Sequence, residues 1–253
     1  MLRSKNFFLI KQLAFTDFKM GYKGSFMGFL WPVLNPLLRF CILFMVFSVF
    51  LRFDMPYYNL YLLLGIITWH FFSESTSYSM QALLSKAPII KNINFDRYVI
   101  TISSFMASSI SFLISFLLFM VFWSFSDIKL SISMLWVFPY FLTLFIWCLG
   151  LSFFLSAAVG RFKDIRHLWN VLLQLFFWLT PIVYPLKAIP EKFRYLFVLN
   201  PFYHIIDGLR MSLINTTNPS VLSYVIITLN GLVVLLMGFK LYSKLSKYFP
   251  EYI

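Results

Sequence analysis

Charge is scarce in this 253-residue chain: 12% of its residues are Asp, Glu, Lys or Arg, and only 9 of those are acidic. A soluble globular domain carries about 25% charged residues, so that class is excluded. Cysteine is nearly absent; Cys41 and Cys148 both fall inside apolar runs, which leaves no disulfide framework and no thiolate metal site. His70, His167 and His204 are scattered over three regions and form no cluster at metal-ligand spacing. The patterns G-x-x-x-x-G-K-[ST], G-x-S-x-G and H-E-x-x-H do not occur. A nucleotide-binding P-loop and the familiar hydrolase centres are thereby excluded, and neither a cofactor nor a catalytic residue is expected on this chain.

What remains is apolar: 60% of the chain is hydrophobic and 21% aromatic. Six runs are long enough for a bilayer crossing, which needs about 20 residues per helix: Leu30 to Leu51, Tyr57 to Tyr78, Tyr98 to Phe125, Ser131 to Val159, Leu168 to Leu186 and Val221 to Phe239. Their continuous apolarity predicts helices, because a barrel strand would alternate. The expected fold is an all-α integral membrane protein of six transmembrane helices, one domain over 1–253. The net charge of +12 first suggests nucleic acid, but its distribution rejects that partner. Basic residues gather before the first run and after the second, fourth and sixth, whereas Arg52 and Lys129 stand nearly alone in the opposite loops. By the positive-inside rule both termini are cytoplasmic. Lys187, Lys192, Arg194 and Arg210 after the fifth run depart from the rule, partly balanced by Glu191 and Asp207. The N-terminus is not a cleavable signal, since Lys11, Asp17 and Lys19 interrupt any apolar core.

Three segments do not span. Residues 5–23 predict a helix in the cytoplasmic interface, with Phe7, Ile10, Ala14 and Phe18 on one face and Lys5, Gln12, Thr16, Lys19 and Lys23 opposite. It is either an anchor among membrane lipids or a contact surface for a cytoplasmic partner. The segment from Ser79 to Ile100 reads as a short helix, a break at Pro88 and a re-entry; it either receives force from a soluble motor or is a solvated elbow. From Pro185 to Leu213 the pattern predicts two short amphipathic pieces, Glu191 to Leu199 and Phe202 to Leu213, hinged at Asn200-Pro201. These form a re-entrant outer hairpin or a pair of helices lying flat on the surface.

Ionisable residues inside a membrane are candidates for function. Arg39 and Glu74 lie roughly 18 and 25 Å inward from the outer ends of their runs at about 1.5 Å per residue, which suggests an ion pair between the first two spans or separate snorkelling. A sugar-conducting passage would want aromatic faces and few fixed charges; Trp31, Trp69, Phe176, Phe177, Trp178 and Tyr184 are the candidates, with packing as the alternative role. His204 and Asp207 share a helical face as an acid/base or simple hydrogen-bonded pair.

Four blocks carry a family resemblance: YKGSFMGFLWPVLNPLL (Tyr22 to Leu38), LYLLLGIITWHFFSES (Leu60 to Ser75), FKDIRHLWNVLLQLFFWLTPIVYPLKAIP (Phe162 to Pro190) and LNPFYHIIDGLR (Leu199 to Arg210). Spread over most of the chain, they resemble the membrane subunits of ABC-type polysaccharide exporters, the O-antigen, capsule and teichoic-acid permeases, and look most like the O-antigen permeases. One departure is Lys163-Asp164, where members commonly carry Arg-Asp, so bidentate geometry is lost there. The resemblance implies a homodimer in the bacterial cytoplasmic (inner) membrane, bound to two copies of a separate ATPase that carries ATP and Mg. It implies that Lys5, Lys11, Gln81, Lys86, Lys91 and Asp96 face those ATPases. Pro185, Asn200, Pro201, His204, Asp207 and Arg210 would belong to an outer gate, and the cargo would be a lipid-linked polysaccharide. The rival readings are a membrane-embedded glycan-modifying enzyme and an ABC exporter of a small lipid or drug.

Overall fold

A computed structural model of the chain describes residues 2–52, 55–88 and 95–249. Lys91, with the centre of the 79–97 segment, and the side chain of Lys5 lie outside the described residues. Regular structure among the described residues is all helical: α1 Leu2–Met20, α2 Trp31–Phe44, α3 Tyr58–Ser85, α4 Tyr98–Ser124, α5 Val137–Arg161, α6 Ile165–Leu179, α7 Glu191–Val198, α8 Pro201–Leu213 and α9 Val221–Leu245. Wider turns over Met45–Phe50 prolong α2, with Leu51 N donating to Val46 O.

Four helical units are long and apolar enough to cross a membrane: Gly28–Phe50, Tyr98–Ser124, Ile132–Arg161 and Val221–Tyr248. The chain is therefore a multi-pass membrane protein. Two of the expected runs fall short of that measure for different physical reasons. In α3, length is ample at 28 residues, but His70, Ser73, Glu74, Ser75, Thr76, Ser77 and Ser79 dilute its apolarity. It tolerates them because it is the hub of the bundle, packed against α2, α4, α5, α6 and α8 and buried along most of its length. In α6 the deficit is length: 15 residues span about 22 Å, against about 30 Å of hydrocarbon. The helix expected to reach Leu186 stops at Leu179, because a residue preceding proline is pushed out of the helical region. Thr180, before Pro181, sits at φ −105°, ψ 128°.

At its other end α3 outruns expectation, continuing through Ser79 to Ser85. The first part of the anticipated coupling helix is thus the last two turns of α3. Basic loops converge at one end of the bundle. There Arg97 Nη1 donates to the Ser246 carbonyl, Tyr242 Oη donates to Arg97 O at 2.8 Å, and Gly160 faces the ring of Phe249. The α5–α9 pair is held closest at Gly238, where an added Cβ would stand 2.3 Å from Gly150 O. No other residue type permits that approach.

Helix α1 packs lengthwise on the first half of α4, from Asn6 beside Tyr98 to the following Tyr22, whose hydroxyl is 3.1 Å from Ser111 Oγ. Ala14 and Asp17 are buried against the protein, while Phe8, Gln12, Phe15 and Lys19, at i, i+4, i+7 and i+11, share one exposed side that mixes aromatic and polar groups. Phe7, two turns before Ala14 on the same face, is exposed nonetheless.

Candidate functional site

A cleft of about 860 Å³ opens between α2, α3 and α6. Each helix contributes one stripe at i, i+3/i+4, i+7 spacing, the rule for residues sharing a face: Asn35, Arg39 and Ile42 from α2; His70, Ser73, Glu74 and Ser77 from α3; Asn170, Gln174 and Phe177 from α6. Trp69 and Trp178 add indole surface. Of the residues singled out in the sequence, the cleft gathers Arg39, Glu74, Trp69, Phe177 and Trp178. Three aromatics fall elsewhere. Trp31 donates its Nε1 to Ser25 Oγ at 2.7 Å, Phe176 points to the other side of α6, and Tyr184 donates its hydroxyl to the Trp178 carbonyl.

Arg39 and Glu74 line the same cleft without forming an ion pair among the described residues. Glu74 Oε2 instead lies 3.5 Å from His70 Nδ1, one turn back on α3, while Arg39 is exposed. Of the two expected arrangements, an ion pair or separate placement, the described residues show the second. Sequence reading also missed Asn35, His70, Ser73, Ser77, Asn170 and Gln174. The available signal was their helical spacing, Asn170 with Gln174 and His70 with Ser73 and Ser77, inside runs otherwise read only as apolar.

Beyond Leu179 the chain runs without helix through Thr180-Pro181-Ile182-Val183-Tyr184, and all but Tyr184 are buried. Buried non-helical backbone must have its carbonyls satisfied within the protein, and here each one is. Arg210 Nη1 donates to Pro181 O at 2.7 Å and Nη2 to Ile182 O at 2.7 Å. Tyr58 Oη donates to Val183 O at 2.9 Å, Tyr61 Oη to Tyr184 O at 3.2 Å, and Ile182 N to Thr180 O at 2.6 Å. Arg210 also reaches Tyr61 O through Nε at 3.3 Å and Nη2 at 3.1 Å, with its guanidinium 3.3 Å from the Tyr61 ring centroid. It is 2% exposed, so a permanent charge is held by carbonyl dipoles and a π face. Gly65 makes the room: a Cβ there would stand 2.7 Å from Arg210 Nη2.

The expected two-piece connector is present as α7 and α8. Asn200 is the hinge: its Oδ1 accepts from Phe202 N at 3.0 Å, capping α8, and its Nδ2 donates to Thr180 Oγ1 at 2.7 Å. Pro201 occupies the first helical position, where its missing N–H costs nothing. Pro185 O accepts from Ala188 N at 3.0 Å, and the His204 ring reaches Val198 O at 2.6 Å rather than Asp207. Burial pushes the Asp207 carboxyl pKa above the usual carboxylate range, and neighbouring Arg210 opposes that shift.

Residues 9–214 match the family described as ABC-2 type transporter. The chain belongs to that membrane family. It is 31% identical over 247 residues, 97% of this chain and 95% of the relative, to an O-antigen export system permease protein RfbA of Klebsiella pneumoniae. A protein of that description from Myxococcus xanthus is 28% identical over 73% of this chain and 71% of its own length. The polysialic acid transport protein KpsM of Escherichia coli is 24% identical over 92% of both chains. Its relatives are transport permeases, and the family match covers both the cleft and the non-helical stretch clamped by Arg210 in this ABC-2 chain.

At the basic end, the residues tied to an ATPase by resemblance divide. Lys11 and Gln81 are exposed, whereas Lys86 forms an ion pair with buried Asp17, and Asp96 accepts from Asn6 Nδ2 at 2.6 Å. These two links fasten α1 to both flanks of the segment after α3. Sequence reading had assigned Asp17 no partner.

Proposed function

We propose that this chain is the channel-forming permease of a bacterial inner-membrane exporter for a lipid-linked polysaccharide, driven by a separate ATPase. The observation that carries the reading is the cleft. Its walls offer amide, hydroxyl, imidazole and carboxylate groups beside the flat faces of Trp69, Phe177 and Trp178. Alternating hydrogen-bonding groups and exposed C–H faces are the surface of a sugar chain, and the charged groups that line the cleft among the described residues, Arg39 and the His-paired Glu74, would not trap it. The names of the O-antigen and polysialic acid relatives favour the same cargo.

In this reading two copies of the chain line the path, each crossing the membrane six times. Both α3 and the short α6 then count as crossings, with the polar stripe of α3 turned to the passage instead of lipid, and both termini are cytoplasmic. Two copies of the ATPase, carrying ATP and Mg, bind beneath α1 and the end of α3. Force delivered there reaches the cleft directly, because Lys86 and Glu74 belong to one continuous helix or its cap. The α7–α8 hairpin re-enters from the outer face as the gate, its position set by the Arg210 clamp and the Asn200 hinge.

Deleting the gene in its own bacterium and complementing it with this chain tests the reading. The expected outcome is loss of surface polysaccharide, accumulation of the lipid-linked chain inside, and recovery of a P-loop ATPase on purification of the tagged permease. Normal surface polysaccharide in the deletion strain, or failure to recover any ATPase, overturns it.

A further inference from the structure

A second cavity, of about 540 Å³, lies on the opposite side of α6 from the polar cleft. It exists because α5 and α6 diverge from the short turn between Arg161 and Ile165, and because α6 stops early, leaving the α7–α8 hinge as a roof. Trp69, Phe72, Trp169 and Phe202 form its buried inner wall, and Phe176, Leu196 and Leu199 its exposed rim. From α5, Leu151 projects into it ten residues before Arg161, about 15 Å along the axis and so near the middle of a bilayer about 30 Å thick.

The chemistry of the lining decides what can enter. Among the described residues, no charged one borders the cavity. Its hydrogen-bonding side chains, apart from the Trp69 indole shared with the cleft, are already engaged. Trp147 Nε1 donates to Ile227 O at 3.1 Å, Trp169 Nε1 to Thr76 Oγ1 at 3.0 Å, Thr180 Oγ1 to Phe176 O at 2.8 Å, and Asn200 Nδ2 to Thr180 Oγ1 at 2.7 Å. A buried water needs two to four polar partners, and a sugar needs more. Neither finds them here, so the occupant must be hydrocarbon. The volume is large enough to take an acyl chain.

We propose that a single acyl chain of a bilayer phospholipid enters between α5 and α6 and fills this cavity as a fixed part of the structure. Its headgroup stays at the membrane surface, since no cation in the lining receives a phosphate. The chain lies against Phe202, the second residue of α8, and supports that helix from the lipid side as Arg210 does from the protein side.

The full chain in phosphatidylcholine nanodiscs containing a few per cent of phosphatidylcholine with a mid-chain diazirine tests this. After irradiation and peptide mapping, adducts at Leu151, Phe176 and Leu199 are expected to exceed those at Leu229 and Leu236, exposed on α9, by fivefold or more. Leu151→Trp and Leu196→Trp, which fill the cavity, remove the excess and leave the α9 adducts unchanged. Equal labelling of cavity and α9 positions in the unaltered protein identifies ordinary boundary lipid and overturns the proposal, whether or not the variants fold. Displacement of the cavity label by a long-chain polyprenyl phosphate at concentrations that spare the α9 label also overturns it, assigning the site to an isoprenoid instead.

Discussion

Arg210 is the residue on which the non-helical stretch depends. Replacing it with alanine takes the donor from the Ile182 carbonyl and leaves Pro181 O with the Tyr61 hydroxyl alone, at 3.5 Å, and hydrogen bonds to a charged group are worth about 1.5–3 kcal/mol each. Arg210→Ala should therefore lower unfolding stability by about 3 kcal/mol, read as a fall in melting temperature of the purified protein. Arg210→Lys should recover only part, because one ammonium cannot match a planar fork spread over three carbonyls. At the cleft, the separation of Arg39 from Glu74 predicts that Arg39→Leu and Glu74→Gln have additive effects on export, within about 0.5 kcal/mol in the double variant. Strong non-additivity would show that the pair forms after all. Arg210 stood out in the sequence only as a charge violating the positive-inside pattern. Its role was illegible there, because its partners are backbone carbonyls, and any sequence supplies those.

Among elements, α1 is held to the rest by few polar links, and the Asp17–Lys86 pair is the most buried of them, at 7% and 13% side-chain exposure. Asp17→Ala strands a buried ammonium; breaking such a pair costs about 3 kcal/mol. The expected result is faster proteolysis within α1 while α5 and α9 stay protected, with the charge-swapped pair Asp17→Lys, Lys86→Asp restoring much of the resistance. Unchanged proteolysis would mean that α1 is held by its packing on α4 alone. The two amphipathic pieces and their hinge were legible because Asn-Pro is a strong local signal: the side chain caps and the ring presets φ. The end of α6 was misplaced by seven residues for the converse reason. Apolarity continues through Ile182, Val183 and Leu186, and the break is enforced by Pro181 against a composition that still reads as a span.

For the whole molecule, α6 is a partition with a polar cleft on one side and an apolar cavity on the other. Thiol accessibility in intact membranes checks whether the polar side is wet. After replacing Cys41 and Cys148, Ser73→Cys and Ser77→Cys should react with a small charged thiol reagent at least tenfold faster than Leu236→Cys on the lipid-facing side of α9. Equal rates would mean that lipid or a neighbouring chain fills the cleft.

Composition and run length alone determined that this chain lives in a bilayer as helices, because transfer of apolar surface and the need to satisfy every backbone group act locally and leave their mark in each run. The spacing of proline and asparagine likewise determined the two short helices and their hinge. Only the tertiary structure decided which helix is buried among its neighbours, so that α3 can carry seven polar residues between His70 and Ser79. It also decided which carbonyls Arg210 satisfies and which polar stripes from α2, α3 and α6 meet. Those outcomes depend on contacts between residues up to 149 positions apart, and a helical stripe reveals a face without revealing what it faces.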